Sequence, residues 1–171
     1  MVIRVCPTPL GQLTLAAGTH GLAGAWFEDQ QHRPPALCGA GNAAWPSAPA
    51  HPVLREAAGQ IEAYFSGALK VFDLPLDLSA GTEFQRTVWQ ALLALQRGQT
   101  CTYGELSKRI GRPLAIRATG GAIGRNPLSV IVPCHRVIGQ GGALTGYAGG
   151  LARKRALLQL EGALPVRPSL A

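Results

Sequence analysis

Apolar and polar residues alternate over residues 2–6 and 10–17, a period of two that predicts two strands joined by a turn at residues 8–11. The apolar run 21–28 predicts a third strand, and the Pro-, Gly- and Ala-rich residues 29–51 predict a long loop. A helix should then run from His51-Pro52 to about Phe65. Its apolar face would comprise Leu54, Ala58, Ile61 and Phe65.

The second half carries two capping boxes, a pattern in which a Thr oxygen accepts from a backbone amide while the side chain three residues later reaches back. Thr82-Glu-Phe-Gln85 would open a helix that Gly98 ends, and Thr102-Tyr-Gly-Glu105 would open a short helix through Ile110. A third helix is predicted from about residue 114 to 125, and a C-terminal helix from 151 to 161. Two short helices joined by a Gly-containing turn fit a helix-turn-helix, and they equally fit plain helix packing.

The third helix has few large side chains. Each interior Gly opposes helix formation by about 1 kcal/mol relative to Ala. Close packing in a crowded core would explain such a helix, and so would a helix that must approach another surface, such as a DNA groove. Arg117 and Arg125 project from it and favour the second explanation. Its small residues are Ala115, Ala118, Gly120, Gly121, Ala122 and Gly124.

Charge is divided unevenly along the 171 residues, whose formal net charge is +7. Residues 1–80 sum to −2 and residues 81–171 sum to +9. This asymmetry predicts a polyanionic partner, foremost nucleic acid, for the second half. A hydrophobic share of 47% with a charged share of 15% excludes wholesale disorder. No run approaches the roughly 18 apolar residues that a membrane span needs.

The N-terminal residues lack the apolar region and cleavage site of a signal peptide, so we expect a cytoplasmic protein, or a nuclear one if its source has a nucleus. Its four cysteines are then expected to be free thiols. The sequence has no GxxxxGK[ST] loop, no HExxH pair and no CxxC pair, which argues against P-loop enzymes, zinc proteases and zinc fingers.

The candidate chemical centre follows the apolar run 129–132, which predicts a short buried strand leading into Pro133-Cys-His-Arg136. Cationic neighbours lower the pKa of a cysteine, so Cys134 is a candidate nucleophilic thiolate; an inert buried cysteine is the alternative. Successive side chains of extended backbone point to opposite faces, so His135 would couple to Cys134 through a water or a turn. Glu161, the last acid in the chain, is a candidate to orient His135.

The run Asn126-Pro-Leu-Ser-Val-Ile-Val-Pro-Cys-His-Arg-Val-Ile-Gly139 closely resembles the active-site segment of the O6-alkylguanine-DNA alkyltransferases. Most of the second half shares the resemblance, and the first half shares it more weakly through Thr8-Pro-Leu-Gly-Gln-Leu-Thr-Leu15 and Ala63-Tyr-Phe65. Supporting motifs are Phe84-Gln-Arg-Thr-Val-Trp89, Thr102-Tyr-Gly-Glu105, Arg117-Ala-Thr-Gly-Gly-Ala122, Gly146-Tyr-Ala-Gly-Gly150 and Leu157-Leu-Gln-Leu-Glu161.

This resemblance implies an α+β fold. Residues 1–78 would form a small antiparallel sheet with a helix, resembling the family's ribonuclease-H-like domain. Residues 79–171 would form a mostly helical DNA-binding and active-site domain that carries the helix-turn-helix.

The resemblance also implies roles for individual residues. Cys134 would take the alkyl group from O6 of guanine, and also from O4 of thymine, in a single turnover, with His135 acting through a bridging water that Glu161 helps to polarise. Asn126 would tie the recognition helix to the active-site strand, and Arg117 would fill the place of the flipped base from the minor-groove side. Tyr103, Tyr147, Val137 and Ala148 would contact the substrate, and Arg117, Ala118, Thr119, Gly120, Arg125 and Arg136 would contact DNA.

The expected partner is double-stranded DNA containing alkylated bases, bound by a monomer without a cofactor. Some relatives hold a structural zinc, but Gly18 and Ala23 stand at what look like two ligand positions, so no metal is expected here. The residues Cys6, His20, His32, Cys38 and His51 would then be scattered and unconnected. Two rival functions remain open: a lesion sensor of the alkyltransferase-like type, disfavoured by the presence of Cys134, and a cysteine hydrolase, which has no use for a helix-turn-helix.

Overall fold

The structure, a computed structural model, describes residues 1–37 and 44–165. Within those residues the first half forms a three-stranded antiparallel sheet in the order β1-β2-β3. Helix α1 packs against this sheet, as the alternating pattern of the strands and the helical spacing of residues 52–65 predicted. The elements of this half are β1 (Val2–Thr8), β2 (Gly11–Gly18), β3 (Gly21–Phe27) and α1 (Pro52–Phe65). Cys38, one of the scattered residues named above, lies outside the described residues.

The second half is mostly helical, as predicted. Both capping boxes form as expected, at Thr82 with Gln85 and at Thr102 with Glu105. The first helix ends at Leu93, however, and Gly98 lies in a turn beyond it. The elements are α2 (Glu83–Leu93), β4 (Cys101–Thr102), α3 (Tyr103–Arg109), α4 (Ile116–Gly124), β5 (Val137–Ile138) and α5 (Leu151–Leu160).

The helices α3 and α4 form the predicted helix pair. Gly111, in the turn between them, has φ +70°, a conformation that glycine adopts without the steric cost of a Cβ. The hydroxyls of Ser107 and Thr119 lie 2.8 Å apart in the buried contact between the two helices. Trp89 of α2 donates its indole N–H to the carbonyl of Ala122 at 2.9 Å and so holds α4 from the other side.

The buried face of α1 differs in part from the predicted one. Leu54 and Ile61 are buried as expected, whereas the other two predicted positions lie at the edge of the core. Ala57 and Tyr64 are buried in their place. Tyr64 is fully buried although it carries a polar hydroxyl, which requires a hydrogen-bond partner inside the protein.

The two halves share backbone hydrogen bonds. The Ala25 amide of β3 donates to the carbonyl of Pro127 at 2.8 Å, and the Ser129 amide donates back to the Ala25 carbonyl at 2.9 Å. The connecting segment also returns to the sheet, because the Leu22 amide donates to the carbonyl of Pro75 at 2.7 Å. The sheet of the first half therefore continues directly into the segment that precedes Cys134.

Candidate active site

Residues 129–132 form turns, so the predicted strand is wrong. Val130 has φ +74°, a left-handed conformation that β-branched residues rarely adopt and that interrupts extended backbone. The next residues, Cys134–Arg136, form one turn of 3₁₀-helix. The alternation of side chains expected for extended backbone therefore does not apply to His135, and the coupling of His135 to its neighbours must follow from this turn.

Asn126 connects the end of α4 to the turn that carries Cys134. Its side-chain amide donates to the carbonyl of Val132 at 2.8 Å and lies 3.1 Å from the Cys134 sulfur. Its carbonyl oxygen accepts from the Leu128 amide at 2.9 Å. All of these groups are buried. Asn126 thus makes the contacts expected of a residue that ties the helix to the active-site segment.

The thiol of Cys134 is not held as a thiolate by its neighbours. Burial raises its pKa above the ordinary value, and the Asn126 hydrogen bond and the Lys154 charge only partly oppose this. The expectation that the adjacent cationic side chains lower the pKa is therefore wrong. Burial also lowers the pKa of His135, which favours the neutral imidazole, and the Arg136 charge is directed to a carboxylate.

Glu161 receives hydrogen bonds from several sides at the end of α5. His135 Nε2 lies 3.0 Å from Glu161 Oε1, and both side chains are excluded from solvent. Arg136 donates to the same oxygen at 2.7 Å and to Oε2 at 2.8 Å. Hydrogen bonds from Arg136 and His135 and their charges hold the pKa of Glu161 well below its usual range, against the effect of burial. The carboxylate is therefore ionised and the His135 Nε2–H donates to it.

This arrangement leaves His135 Nδ1 as the ring nitrogen with a free lone pair. The atom is buried and has no hydrogen-bond partner among the described residues. An imidazole whose Nε2–H is fixed on a carboxylate is held in the tautomer that can accept a proton at Nδ1. The predicted orientation of His135 by Glu161 matches this geometry.

Two residues expected to contact DNA are buried instead. Arg136 is 7% exposed, and besides its contacts to Glu161 it donates to the carbonyl of Leu95 at 2.5 Å. Thr119 is fully buried, with its hydroxyl on Ser107. The expectation of DNA contact by these two side chains is therefore wrong, because both are used to hold the fold.

Cys134 lines a cavity of about 130 Å³. The cavity brings together four residues that sequence reasoning placed at the site: Cys134, Tyr103, Tyr147 and Ala148, with Gly120 of α4 as its helical wall. Its remaining lining residues were not predicted: Gln31, Ile123, Gly124 and Gly146. Val137 is not among the lining residues; its side chain is fully buried elsewhere, which does not support the expected contact with a substrate base.

The loop beside the cavity is held by hydrogen bonds from three other segments of the chain. The Tyr103 hydroxyl donates to the carbonyl of Thr145 at 3.1 Å. The ammonium of Lys154 donates to the carbonyls of Val137 at 2.5 Å and Thr145 at 2.6 Å, and burial lowers its pKa to about 8. The Gln31 amide of the first half donates to the Ala148 carbonyl at 3.0 Å. Sequence reasoning missed Lys154 and Gln31, since neither belongs to a local pattern.

The opposite face of α4 is open to solvent. Arg117, Ala118 and Arg125 are exposed there and line a shallow groove together with Gly121. One helix therefore separates an exposed basic groove from the cavity of Cys134, with Gly120 on the inner side. No three His, Cys, Asp or Glu side chains within residues 1–37 and 44–165 are grouped to hold a metal ion. No helix in the same part of the chain is long and apolar enough to cross a membrane.

Two family models match nearly the whole chain. Residues 83–163 match the DNA-binding domain of 6-O-methylguanine DNA methyltransferase, and residues 1–78 match its ribonuclease-like domain. The chain belongs to the 6-O-methylguanine DNA methyltransferase family. The expected family and the α+β fold, with a sheet in the first half and helices in the second, are confirmed.

Relatives within this methyltransferase family cover the chain at substantial identity. The methylated-DNA–protein-cysteine methyltransferase of Mycobacterium tuberculosis is 46% identical over 158 residues, which are 92% of this chain and 90% of the relative. The enzyme of the same name from Methanosarcina acetivorans is 59% identical over 108 residues, 63% of this chain and 69% of the relative. The crystal structure of Mycobacterium tuberculosis OGT in complex with DNA has a TM-score of 0.84 at 44% identity, covering 95% of this chain and 94% of that one.

Proposed function

We propose that this protein repairs DNA by transferring the alkyl group from O6 of an alkylated guanine to the sulfur of Cys134. The observation that carries the proposal is the cavity beside α4, in which the Cys134 thiol faces two tyrosines. The His135–Glu161 pair supports it, because a buried thiol of raised pKa needs a base. The family relatives named above, whose names describe methyl transfer from DNA to a protein cysteine, support the same reaction.

The thiolate forms only when a proton leaves Cys134. His135 Nδ1 accepts that proton through one bridging water, and Glu161 stabilises the resulting imidazolium. The sulfur then displaces the guanine oxygen at the alkyl carbon: the S–C bond forms, the C–O bond breaks, and the electron pair of that bond leaves with the base. Tyr103 lines the cavity beside the base, and its hydroxyl must turn from the Thr145 carbonyl to donate to the negative charge that develops on the base.

The alkylated base must leave the duplex to reach a buried thiol, at a cost of a few kcal/mol. Arg117 is exposed on α4 and fills the place of the extruded nucleotide, while Tyr147 covers the base within the cavity. The exposed Ala118 and the glycines of α4 let the helix approach a minor groove that is only about 6 Å wide. Exposed arginine side chains that flank this helix, among them Arg112 and Arg125, bind DNA phosphates without regard to the DNA sequence.

The reaction ends in a thioether at Cys134. No step in this scheme regenerates the thiol, so each molecule acts once. The scheme uses side chains of a single chain and needs no cofactor. The same displacement applies to O4-alkylthymine, whose alkyl carbon is likewise bound to an exocyclic oxygen of the base. The cavity and the chemistry of Cys134 are the same for both substrates.

The test is incubation of the protein with a duplex containing O6-methylguanine, followed by intact-protein and peptide mass spectrometry. We expect a gain of one methylene, about 14 Da, on the peptide of Cys134 and a 1:1 limit of product to protein. Cys134→Ser should bind the duplex without this gain. A wild-type protein that binds the lesion and stays unmodified would indicate a lesion sensor, and more than one turnover would contradict the stoichiometric mechanism.

A further inference from the structure

One side chain from the first half of the chain joins the hydrogen-bond network of His135, Arg136 and Glu161. Tyr64, near the end of α1, is fully buried, and its hydroxyl lies 2.8 Å from Glu161 Oε1, 97 residues away in sequence. Its ring packs edge-on to Phe65 at 5.3 Å between centroids and lies 5.2 Å from the ring of Phe72. The Arg97 guanidinium sits 5.2 Å from the Tyr64 centroid. These contacts fix the direction in which the hydroxyl points.

The hydroxyl is the donor in this contact. Burial and the negative charge of Glu161 raise the pKa of Tyr64, so the phenol keeps its proton, while Glu161 stays ionised. Glu161 Oε1 then accepts three hydrogen bonds, from Tyr64, His135 and Arg136, whereas Oε2 accepts one from Arg136. Tyr64 and His135 therefore share one oxygen of the carboxylate.

Because Tyr64 donates to the same oxygen, Glu161 stabilises the protonated form of His135 less strongly. A carboxylate whose charge is already satisfied by other donors stabilises an imidazolium less than one with a free lone pair. The other charged or titratable groups facing the pair are Arg136 on the 3₁₀ turn, Arg97 beyond α2, Lys154 on α5 and the Cys134 thiol. None of these groups is removed when the Tyr64 hydroxyl alone is removed.

We propose that Tyr64 is a positioning residue for alkyl transfer, whose hydroxyl holds Glu161 and sets the pH range over which neutral His135 is available to take the proton of Cys134. This role rests on the proposed function. It gives the first half, whose charge of −2 argues against phosphate binding, a direct part in the reaction. The basic second half binds DNA and carries the nucleophile, and α1 adjusts the base that activates it.

Tyr64→Phe removes the hydroxyl and keeps the ring. The remaining donors leave more of the Glu161 charge to His135, so the imidazolium is favoured up to a higher pH. We expect the acidic limb of the single-turnover rate on an O6-methylguanine duplex to move up by about half a pH unit, which lowers the rate on that limb about threefold. The matched control is Phe72→Leu, which disturbs the packing of the same ring without touching a hydrogen bond of Glu161.

The acidic limb of the pH–rate profile distinguishes a positioning role of the Tyr64 hydroxyl from a role of its ring in packing. A limb that moves in Tyr64→Phe and stays in place in Phe72→Leu supports the role, whereas a limb unmoved in Tyr64→Phe, or moved equally in both variants, overturns it. The His135 ring titration, followed by NMR, must show the same upward displacement in Tyr64→Phe and none in Phe72→Leu. This second readout needs no transfer, so a wild-type protein that fails to transfer would count against the proposed function while the titration still decides the role of Tyr64.

The wild-type protein provides a measurement that does not depend on how the variants fold. A Tyr64 hydroxyl proton that exchanges slowly and shows a nuclear Overhauser contact to the His135 ring supports the shared oxygen. A hydroxyl proton in rapid exchange with water would overturn it.

Discussion

Arg136 binds Glu161 through both carboxylate oxygens, with Nε 2.8 Å from Oε2 and Nη2 2.7 Å from Oε1. Its remaining nitrogen, Nη1, donates to the carbonyl of Leu95. A guanidinium forked over a carboxylate in this way fixes the orientation of both groups. The arginine two residues after the nucleophile therefore holds the carboxylate that orients His135, and it is not directed at the thiol or at DNA.

Arg136→Met should destabilise the protein without a matching loss of DNA affinity. Removing one partner of a buried ion pair leaves the other charge unpaired and costs about 3–5 kcal/mol. Arg125→Ala, on the exposed side of α4, is the matched control: it should weaken binding to an unmodified duplex and leave stability nearly unchanged. Urea denaturation and fluorescence anisotropy measure the two effects. Equal stability losses in the two variants would contradict the buried role of Arg136.

Gly121→Ala tests why α4 has so few side chains. A Cβ at this position would meet only the Arg125 guanidinium, at 3.5 Å, so the fold accepts it and the helix gains up to about 1 kcal/mol. The added methyl faces the exposed groove and should lower the affinity for duplex DNA. Gly59→Ala, in α1 with nothing within 4 Å of a new Cβ, should give a similar stability gain with unchanged affinity. A Gly121→Ala protein that keeps full affinity would favour the packing explanation.

Acid should destabilise the protein through His135 before it protonates any carboxylate. The pKa of His135 is lowered in the folded protein, so between the folded and unfolded values the unfolded chain binds more protons and stability rises with pH. Below roughly pH 6.5 the free energy of unfolding should therefore fall by up to about 1.4 kcal/mol per pH unit. Urea denaturation at pH 7.5 and 5.5 measures this slope.

The variant His135→Gln isolates that contribution. It removes the titrating ring and leaves the other described histidines, His20, His32 and His51, in place. Its unfolding free energy should depend less on pH than that of the wild type over the same interval. An identical slope in the two proteins would show that the titration of His135 does not control acid stability.

Arg117→Ala should impair repair of a duplex far more than reaction with the free O6-methylguanine base. The exposed side chain acts only where a base has to be displaced from a stack, and the free base needs no such displacement. Stability should change by less than about 0.5 kcal/mol, as for other surface substitutions. Single-turnover rates on the two substrates measure the difference. Arg112→Ala, an exposed control in the preceding turn, should affect both substrates less. Equal losses on both substrates in Arg117→Ala would exclude its role in filling the place of the extruded base.

Local patterns predicted the parts of the fold that depend on local physics. The three strands of the first half, the capping boxes at Thr82 and Thr102 and the glycine-rich third helix all follow from spacing or from hydrogen bonds within four residues. The strand at residues 129–132 was wrong because a short apolar run has the same composition in a buried turn as in a strand. What distinguishes the two is the positive φ of Val130, between residues that bond to Asn126 on one side and to the edge of β3 on the other. The bond to β3 is a tertiary contact, which the local sequence does not encode.

The site residues that belong to one local motif could be predicted from the sequence. The contacts between residues that are distant in sequence could not. The adjacent Cys134 and His135 stand out in the sequence, and Glu161 was a candidate as the last acid. Arg136 was expected to contact DNA from the resemblance alone, and its burial follows only from the position of Glu161. Tyr64 lies within a motif that the family shares, but a pattern of apolar positions says nothing about where its hydroxyl points.

The pair of backbone hydrogen bonds between Ala25 and the segment of Pro127 and Ser129 has a consequence for the integrity of the molecule. A cut in the connecting segment near residues 78–82 would sever the chain but not these bonds, nor the aromatic contacts of α1. The resulting fragments should stay associated and complement one another, whereas the C-terminal fragment alone would leave the Ser129 amide and the Pro127 carbonyl without their partners. Residues 127–129 thus extend the backbone hydrogen bonding of the N-terminal sheet through a single bridge, and this bridge links the two halves independently of the chain that connects them.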